Sequence, residues 1–378
     1  MLMLTPEQVQ LADSARGLLD ERAPISQFRR LRDARDAVGF DRDLWRTMAD
    51  MGWAGVLVAE PYGGVDFGFV GAGLLCEQMA RRLVASPFLS TAVVAATALR
   101  WGGSSAQKSR WLPAIAAGEA IVALAVDEGR KHDPAATALT AIPSGNGYRL
   151  AGEKVLVIDG HVADAFVVAV RTAGRPGDLD GLTLFLIESG SPGLNVDRTV
   201  VVDSRNVARL RFGNVPVDGA AVLGEVDRGA NLLEVILNAG RVGVAAELLG
   251  VTAEAFERTI AFLKERHQFG RPIGSFQALQ HRAAHLYCEI EMLRSAVLAA
   301  CQALDADPWT AGPLASMAKA KAAAVARLSV SEALQMHGGM GMTDDVDIGL
   351  FMKRARAGAE LYGDANFHAD RVARHRGF

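Results

Sequence analysis

The stretch from Arg266 to Gln277, RHQFGRPIGSFQ, places a guanidinium and two aromatic rings at a break in a helical pattern. The helical spacing stops near Gly270, and Ser275 can act as the N-cap of the next helix. Such a corner offers free backbone N–H groups, and the forked donors of Arg266 suit a phosphate. The same residues also fit an ordinary turn between two helices. The spacing alone leaves both interpretations open.

The segment QMHGGMGMTDD, which begins at Gln335, is a second candidate because it is rich in glycine. Gly338, Gly339 and Gly341 could suggest a dinucleotide loop, but the third glycine of that motif is absent and the segment follows a helix instead of a strand. A nucleotide-binding βαβ unit is therefore excluded. The glycine pair instead predicts the C-terminal cap of an Ala- and Lys-rich helix over residues 314–336.

His281 and His285 lie one helical turn apart, a spacing found in zinc proteases of the HExxH type. Arg282 follows the first histidine, where such an enzyme needs a glutamate as its general base. Cys288 lies on the same helix, but three candidate ligands without a fourth do not make a site. We therefore expect a polar helix face and no metal.

The elements that must position these segments fall into three blocks. Residues 1–118 carry one helical pattern after another, so the first block is predicted to be all-α. Residues 119–227 contain short β-rich runs, and Arg209 to Phe212 alternate as a half-exposed strand would. Residues 228–378 return to long helices. We predict an α+β protein whose middle block is a small antiparallel barrel or sandwich.

Charge and composition exclude several classes of protein. The chain has 40 Lys and Arg against 43 Asp and Glu, a formal net charge of −3, so nothing predicts binding to nucleic acid. Three scattered cysteines without CxxC spacing predict buried thiols in a reducing compartment. Glu7 interrupts the N-terminus too early for a signal peptide, and no window of about 18 residues stays apolar. We expect a cytoplasmic protein without a membrane span.

The corner from Arg266 to Gln277 closely resembles a signature of the acyl-CoA dehydrogenase family, Arg-x-x-Phe-Gly-x-x-Ile-x-x-Phe-Gln, and every fixed position is met. GWAGVLVAEPYGG at 52–64, GLTLFLIES at 181–189 and QMHGGMGMTDD at 335–345 resemble further segments of the family. The resemblance covers nearly the whole chain. It implies a three-domain fold with an N-terminal helical domain, a middle antiparallel β-barrel and a C-terminal four-helix bundle.

The resemblance also implies FAD as the cofactor, because both helical segments contact FAD in the family. That FAD is bound mainly by a neighbouring subunit, so an oligomer is implied as well. Further implied partners are an acyl-CoA substrate and an electron-transfer flavoprotein or similar acceptor. The residues assigned to the cofactor are Arg266, Phe269, Phe276, Gln277, Gln335, Gly338, Gly339, Val126 and Ile158.

Two departures from the family concern the seat of the flavin ring. The family often has Leu-Thr-Glu-Pro where residues 126–129 are Val-Asp-Glu-Gly, and Trp-Ile-Thr where residues 156–158 are Leu-Val-Ile. The usual threonine hydroxyls are therefore absent. Because Ile158 has no side-chain donor, a hydrogen bond to the flavin must come from the backbone or from another group.

The implied reaction is α,β-dehydrogenation of an acyl-CoA thioester, in which a carboxylate removes the α proton and the β hydrogen leaves as hydride. Family members place this base near the C-terminus or on the first helix of the C-terminal domain. This chain has Gly363 and Gly240 at those positions. Asp364 is the candidate replacement, and a helix N-cap is its alternative role. Glu247 lies two turns beyond Gly240, about 10 Å away, which is too far to substitute.

Two functions are consistent with this sequence. The first is FAD-dependent dehydrogenation of an unusual acyl-CoA, such as a branched or polycyclic one, with Asp364 as the base. The alternative is a non-catalytic subunit that completes the FAD site of a heteromeric acyl-CoA dehydrogenase, because both usual positions of the base are glycine.

Overall fold

The first block of the chain is a helical layer, as predicted. The computed structural model describes residues 3–378. The helices are α1 (Pro6–Arg22), α2 (Ile25–Asp33), α3 (Arg42–Asp50), α4 (Gly68–Arg81), a π-helical segment (Phe88–Ala95), α5 (Ala96–Gly102) and α6 (Ser105–Ala116). Thr5 begins α1 with a capping box to Gln8, and Ser104 begins α6 in the same way with Gln107. The sequence did not predict α2.

The middle block is one sheet of eight strands. They are β1 (Val122–Ala125), β2 (Thr140–Ser144), β3 (Gly147–Ile158), β4 (Ala165–Arg171), β5 (Leu182–Glu188), β6 (Leu194–Val200), β7 (Asn206–Asp218) and β8 (Val222–Leu223). The order is β6-β7-β3-β2-β4-β5-β8, and β1 pairs with β4. In β7, Leu210 and Phe212 are buried while Arg209 and Arg211 are exposed, which confirms the predicted alternation.

The sheet is mainly antiparallel, as predicted, with two parallel pairs of strands as the exceptions. The pairs β1–β4 and β2–β4 are parallel, whereas the remaining pairs in this sheet are antiparallel. Parallel neighbours need a long crossover connection. The hairpin formed by β2 and β3 provides that crossover between β1 and β4, so the chain returns to β1 in the same direction.

The third block is helical and contains the longest elements. Its helices are α7 (Gly229–Glu265), α8 (Gln277–Ala306), α9 (Gly312–His337), α10 (Ile348–Glu360) and α11 (Ala365–His375). Gly338 follows α9 with a φ of +61°, a conformation that favours glycine, so the predicted cap is confirmed. Two short strands, β9 (His267–Gln268) and β10 (Arg271–Pro272), form a hairpin after α7.

The connection between α7 and α8 differs in detail from the prediction. Helix α7 ends at Glu265 instead of near Gly270. Helix α8 begins at Gln277 with Phe276 at its N-cap, not with Ser275. The hydroxyl of Ser275 instead donates to the carbonyl of Pro272 at 2.7 Å and closes a short turn. The hairpin therefore contains residues 267–270, which helical spacing assigns to the end of α7.

Helix α7 runs through the interior and positions the rest of the molecule. It packs on α4, α8, α9, α10 and the π-helical segment. A Cβ on Gly250 would overlap the backbone of Glu77, so glycine permits the close approach of α7 to α4. Cys76 and Cys301 are buried as predicted, but Cys288 is exposed. Among the described residues, no helix combines the length and apolar character needed to span a bilayer.

Candidate functional site

The corner between α7 and α8 is an exposed hairpin. Phe269 stands at its tip with a φ of +54°, and 91% of its surface is accessible. Its ring lies edge-on to that of Phe276, with 6.1 Å between centroids. The guanidinium of Arg271 lies 4.1 Å from the Phe276 centroid. Arg266 and Gln277 are both exposed, so their polar groups can reach a ligand outside the chain.

The glycine-rich segment after α9 lies beside this corner. Gln335, Gly338 and Gly339 are exposed, and a Cβ on either glycine would meet no atom within 4 Å. The buried ring of His337 stacks on Phe262 with 4.3 Å between centroids. Phe262 lies in the last turn of α7, directly before the corner. The structure therefore brings together the two segments that the sequence predicted to hold one cofactor.

An ion-pair cluster anchors the far side of the glycine-rich segment. Asp347, at the start of α10, accepts from Arg29 of α2 at 2.8 Å and from Arg258 of α7 at 2.9 Å. Asp344 pairs with Arg29 at 3.1 Å and with Arg32 at 2.9 Å. The segment is thus tied to the N-terminal helices as well as to α7. Sequence reasoning missed this cluster because its members are far apart in the chain.

The two remaining cofactor candidates lie in the middle domain. The side chains of Val126 and Ile158 are buried. The ammonium of Lys154 donates to the Val126 carbonyl at 2.9 Å and to the Glu128 carboxylate at 2.7 Å. Burial lowers the pKa of Lys154 to about 8. Leu156, in contrast, is exposed with a φ of +56°. A partly buried ion pair therefore joins β3 to the segment that follows β1.

Both family positions for the base are closed by aromatic rings. A Cβ on Gly240 would lie 2.8 Å from the ring of Tyr362. A Cβ on Gly363, whose φ is +109°, would overlap the ring of Phe367. The carbonyl of Gly363 accepts from Lys319 at 2.9 Å, and burial lowers the pKa of this lysine to about 7. A longer side chain at either glycine would have to displace a ring.

The other carboxylates considered as bases have structural partners. Asp364 is the N-cap of α11, and its side chain accepts from the backbone N–H of Phe367 at 2.7 Å. This geometry supports the helix-cap interpretation over the role of base. Glu247 pairs with Arg205 at 2.8 Å. Both carboxylates therefore already have a hydrogen-bond or ion-pair partner within the chain.

The structure reveals polar groups at this corner that the sequence did not indicate. His132 Nδ1 lies 2.8 Å from an Asp127 carboxylate oxygen. Its ring stands edge-on to Tyr362 and Phe367, with centroids 6.3 and 5.3 Å away. Arg241 is fully buried, and burial lowers its pKa to about 10. No sequence signal could have found this group, because residues 127–132 and 362–367 meet only through tertiary packing.

A small polar cavity lies further along α7. Its volume is about 40 Å³, and its lining includes Ile158, Asp159, Arg205 and Glu247. A cavity of this size can hold a few water molecules. The carboxylate of Asp159 accepts from the hydroxyl of Ser90 at 2.7 Å. Burial raises the pKa of Asp159 to about 6, and the Ser90 hydrogen bond opposes that shift.

Comparison with known families covers most of the chain. The sequence profile described as "Acyl-CoA dehydrogenase, N-terminal domain" matches residues 5–119. The profile described as "Acyl-CoA dehydrogenase, C-terminal domain" matches residues 227–376. The short/branched chain specific acyl-CoA dehydrogenase of Rattus norvegicus mitochondria is 30% identical over 342 residues, which are 89% of this chain and 78% of the relative.

Two solved structures are similar over almost their full length. One is a steroid ACAD variant, Tcur3481-Tcur3483, with a TM-score of 0.89 and 30% identity over 98% of both chains. The other is the ChsE4-ChsE5 complex of Mycobacterium tuberculosis, with a TM-score of 0.88 and 28% identity over 100% of this chain and 99% of the other. The second name describes a complex of two components, and the first joins two protein names.

Proposed function

The chain belongs to the acyl-CoA dehydrogenase family, and we propose that it acts in the FAD-dependent α,β-dehydrogenation of a branched or polycyclic acyl-CoA. The observation that carries this proposal is the junction of the two FAD segments through the stacked rings of His337 and Phe262. A family member that had lost its cofactor would not need to keep the hairpin corner and the glycine-rich segment exposed next to each other. The acyl group is inferred from relatives named for branched-chain and steroid substrates.

The residues present fit FAD, the cofactor of the family. The exposed guanidinium of Arg266 suits a pyrophosphate, and the exposed aromatic ring of Phe269 can cover a flat ligand. The space beside Gly338 and Gly339 is open enough for backbone groups to approach a nucleotide closely. Bound FAD supplies the acceptor for the hydride that leaves the substrate. Val126 and Ile158 would line the seat of its ring from the middle domain.

The other partners follow from the same reaction. Reduced flavin has to pass its electrons on, so an electron-transfer flavoprotein or a similar acceptor is part of the proposal. The exposed position of the FAD segments supports an oligomer in which a neighbouring subunit completes each cofactor site. Whether that neighbour is an identical or a related chain decides between the two candidate functions.

A second candidate is a subunit that completes FAD sites while a related chain carries the base. Two observations favour it. Gly240 and Gly363 stand where the family keeps its carboxylate, and aromatic rings fill the space in front of both. In addition, one similar structure is named as a two-component complex, and the name of another joins two proteins. In this arrangement the chain would bind cofactor without turning over substrate by itself.

An anaerobic titration separates the two candidates. The purified chain would be mixed with straight-chain, branched and polycyclic acyl-CoA thioesters while the flavin absorbance is followed. Bleaching of the chain alone by a branched or polycyclic thioester supports the first candidate. A chain that is colourless by itself, and yellow and bleachable only after co-expression with a related subunit, supports the second and excludes the first.

A further inference from the structure

We propose that the cleft in which a family member holds its acyl-CoA is filled by side chains in this protein, so that acyl-CoA binds only to the related subunit of a mixed assembly. This arrangement rests on the second candidate function, in which the related subunit carries the base. It goes beyond that function, because the loss of a base alone leaves room for a substrate to bind. The observations that carry it are the contacts among the rings of His132, Tyr362 and Phe367, which we call the ring plug.

The reaction determines where the acyl-CoA has to lie. Its α carbon must face the base and its β carbon must face the flavin, so the acyl group occupies the space between the two. The family positions of the base correspond to Gly240 and Gly363, and Val126 and Ile158 are proposed to line the flavin seat. A contact between the segment after Val126 and the loop at Gly363 therefore crosses the path of the substrate.

The ring plug makes such a contact. His132 belongs to the segment that follows β1, and its Nδ1 lies 2.8 Å from a carboxylate oxygen of Asp127. Its ring stands edge-on to those of Tyr362 and Phe367, with centroids 6.3 and 5.3 Å away. Rings at such distances are in direct contact, and Tyr362 is 5% exposed. The three rings therefore leave no gap between them for a thioester.

Helix α7 closes the cleft from the other side through two glycines. A Cβ on Gly240 would lie 2.8 Å from the Tyr362 ring and 3.3 Å from a methyl group of Val94. A Cβ on Gly243 would lie 2.7 Å from a methyl group of Leu89. Val94 and Leu89 belong to the π-helical segment, whose eight residues are all buried. Because even one added carbon meets its neighbours at these positions, an acyl chain has no space alongside this part of α7.

Ion pairs hold the plug on the side of α11. The carboxylate of Glu234 accepts from Arg241 Nη1 at 2.8 Å and also from Arg371 Nη2. The guanidinium groups of Arg241 and Arg371 lie 5.8 and 5.7 Å from the centroid of the Phe367 ring. Arg241 is fully buried. One carboxylate of α7 and two cations thus hold the Phe367 ring in place between α7 and α11.

A filled cleft accounts for the two glycines and for the open FAD segments together. A position that meets no substrate α carbon needs no carboxylate, and its space is taken by a ring. The FAD segments lie near the other end of α7, since its last residue, Glu265, is about 38 Å from Gly240 along the helix axis. There Phe269 is 91% exposed. The surface that serves a neighbouring subunit is therefore open, while the cleft that would serve this chain's own substrate is filled.

The test locates a CoA thioester on the protein without requiring turnover. The probe is 4-benzoylbenzoyl-CoA, whose benzophenone group bonds to adjacent C–H groups under near-ultraviolet light. Equilibrium dialysis measures its binding to the purified chain with added FAD, and mass spectrometry identifies the labelled peptides. Phe367→Ala and His132→Ala each remove one ring of the plug. Phe378→Ala removes a ring that is 94% exposed and serves as the matched control.

We expect the wild type and Phe378→Ala to show no saturable binding up to about 1 mM, the upper end of usual KM values. Phe367→Ala and His132→Ala should bind the probe with a Kd at least about 10-fold below that limit, with label on residues 229–241 or 360–368. In a mixed assembly, all specific label should fall on the related subunit. Melting temperature and circular dichroism check folding. Either ring variant decides where the other does not fold, and the mixed assembly decides where neither does.

Two results would overturn this proposal. Saturable binding to the wild type, with label on residues 229–241 or 360–368, would mean that the cleft is open, and dehydrogenation by the chain itself would then stand. If Phe367→Ala and His132→Ala are both folded and neither binds the probe, the rings are not what excludes acyl-CoA. Failure of the proposed function gives a different result, namely protein without flavin whether or not the related subunit is co-expressed.

Discussion

At the scale of single residues, burial shifts the pKa of ionisable side chains in the interior. Asp159 follows β3, is almost wholly buried and accepts a hydrogen bond from Ser90. Its pKa of about 6 lies above the ordinary 3.8 because burial disfavours the charged form. Between those two pH values the folded chain retains a proton that the unfolded chain loses. Stability from this group is therefore present below pH 4 and is lost as the pH rises through 6.

Asp159→Asn is therefore predicted to stabilise the protein at neutral pH. The amide keeps an acceptor for the Ser90 hydroxyl and carries no charge to desolvate. At pH 7.5 we expect a gain in the free energy of unfolding of about 1 to 3 kcal/mol, because the raised pKa of Asp159 means that its ionised form costs stability in the folded chain. Near pH 4 the gain should vanish. Denaturant unfolding at both pH values measures it.

The matched control is Asp13→Asn, an exposed acid on α1. It should change the free energy of unfolding by less than about 0.5 kcal/mol at either pH. Equal stability of wild type and Asp159→Asn across this pH range would show that the Asp159 carboxylate is not desolvated in solution.

At the scale of elements, the end of a helix could be predicted from the sequence at α9, whereas contacts between distant elements could not. The cap of α9 followed from Gly338 in the sequence, because a helix cap depends on residues within one turn. The hairpin around Phe269 was read as helix, since a two-residue strand is stabilised by its partner and not by its own propensity. His132 gave no signal at all, because its partners at Tyr362 and Phe367 come from another domain.

Asp347 is predicted to hold the glycine-rich FAD segment in place. Asp347→Asn removes the charge that pairs with Arg29 and Arg258. Both pairs are partly buried, so we expect a loss of about 1 to 2 kcal/mol in the free energy of unfolding. The chain from Gly338 to Met342 should then be cleaved faster by protease, and the protein should retain less FAD after gel filtration.

The control for this change is Asp345→Asn, two residues away on the same exposed turn. It should leave proteolysis and FAD retention as in the wild type. If Asp347→Asn also keeps the proteolysis and FAD retention of the wild type, the ion pairs of Asp347 do not position the segment. The stacked rings of His337 and Phe262 would then be sufficient to hold it.

At the scale of the whole molecule, exposed apolar side chains support the proposed contact between subunits. Phe269 in the hairpin, and Met340 and Met342 in the glycine-rich segment, are large apolar side chains exposed to solvent. Exposed apolar groups in both proposed FAD segments are consistent with an interface. The domain limits at 118 and 227 stay predictions, as do the roles of the individual cofactor residues.

Phe269→Glu is predicted to weaken the oligomer and the cofactor site together. A charge at the tip of the hairpin would be desolvated in a subunit contact, so the protein should elute later from gel filtration and lose FAD. The control is Leu179→Glu, an exposed apolar position in the middle domain with 68% of its surface accessible. Unchanged elution and full FAD content in Phe269→Glu would place the interface elsewhere.

The hairpin around Phe269 and the glycine-rich segment after α9 are proposed to form part of a working flavin site. The most direct measurement is the visible spectrum of the purified wild-type chain, alone and with a co-expressed related subunit, before and after anaerobic addition of acyl-CoA. A working site predicts a flavin spectrum that a branched or polycyclic thioester bleaches. Protein that carries no flavin under either condition would contradict it.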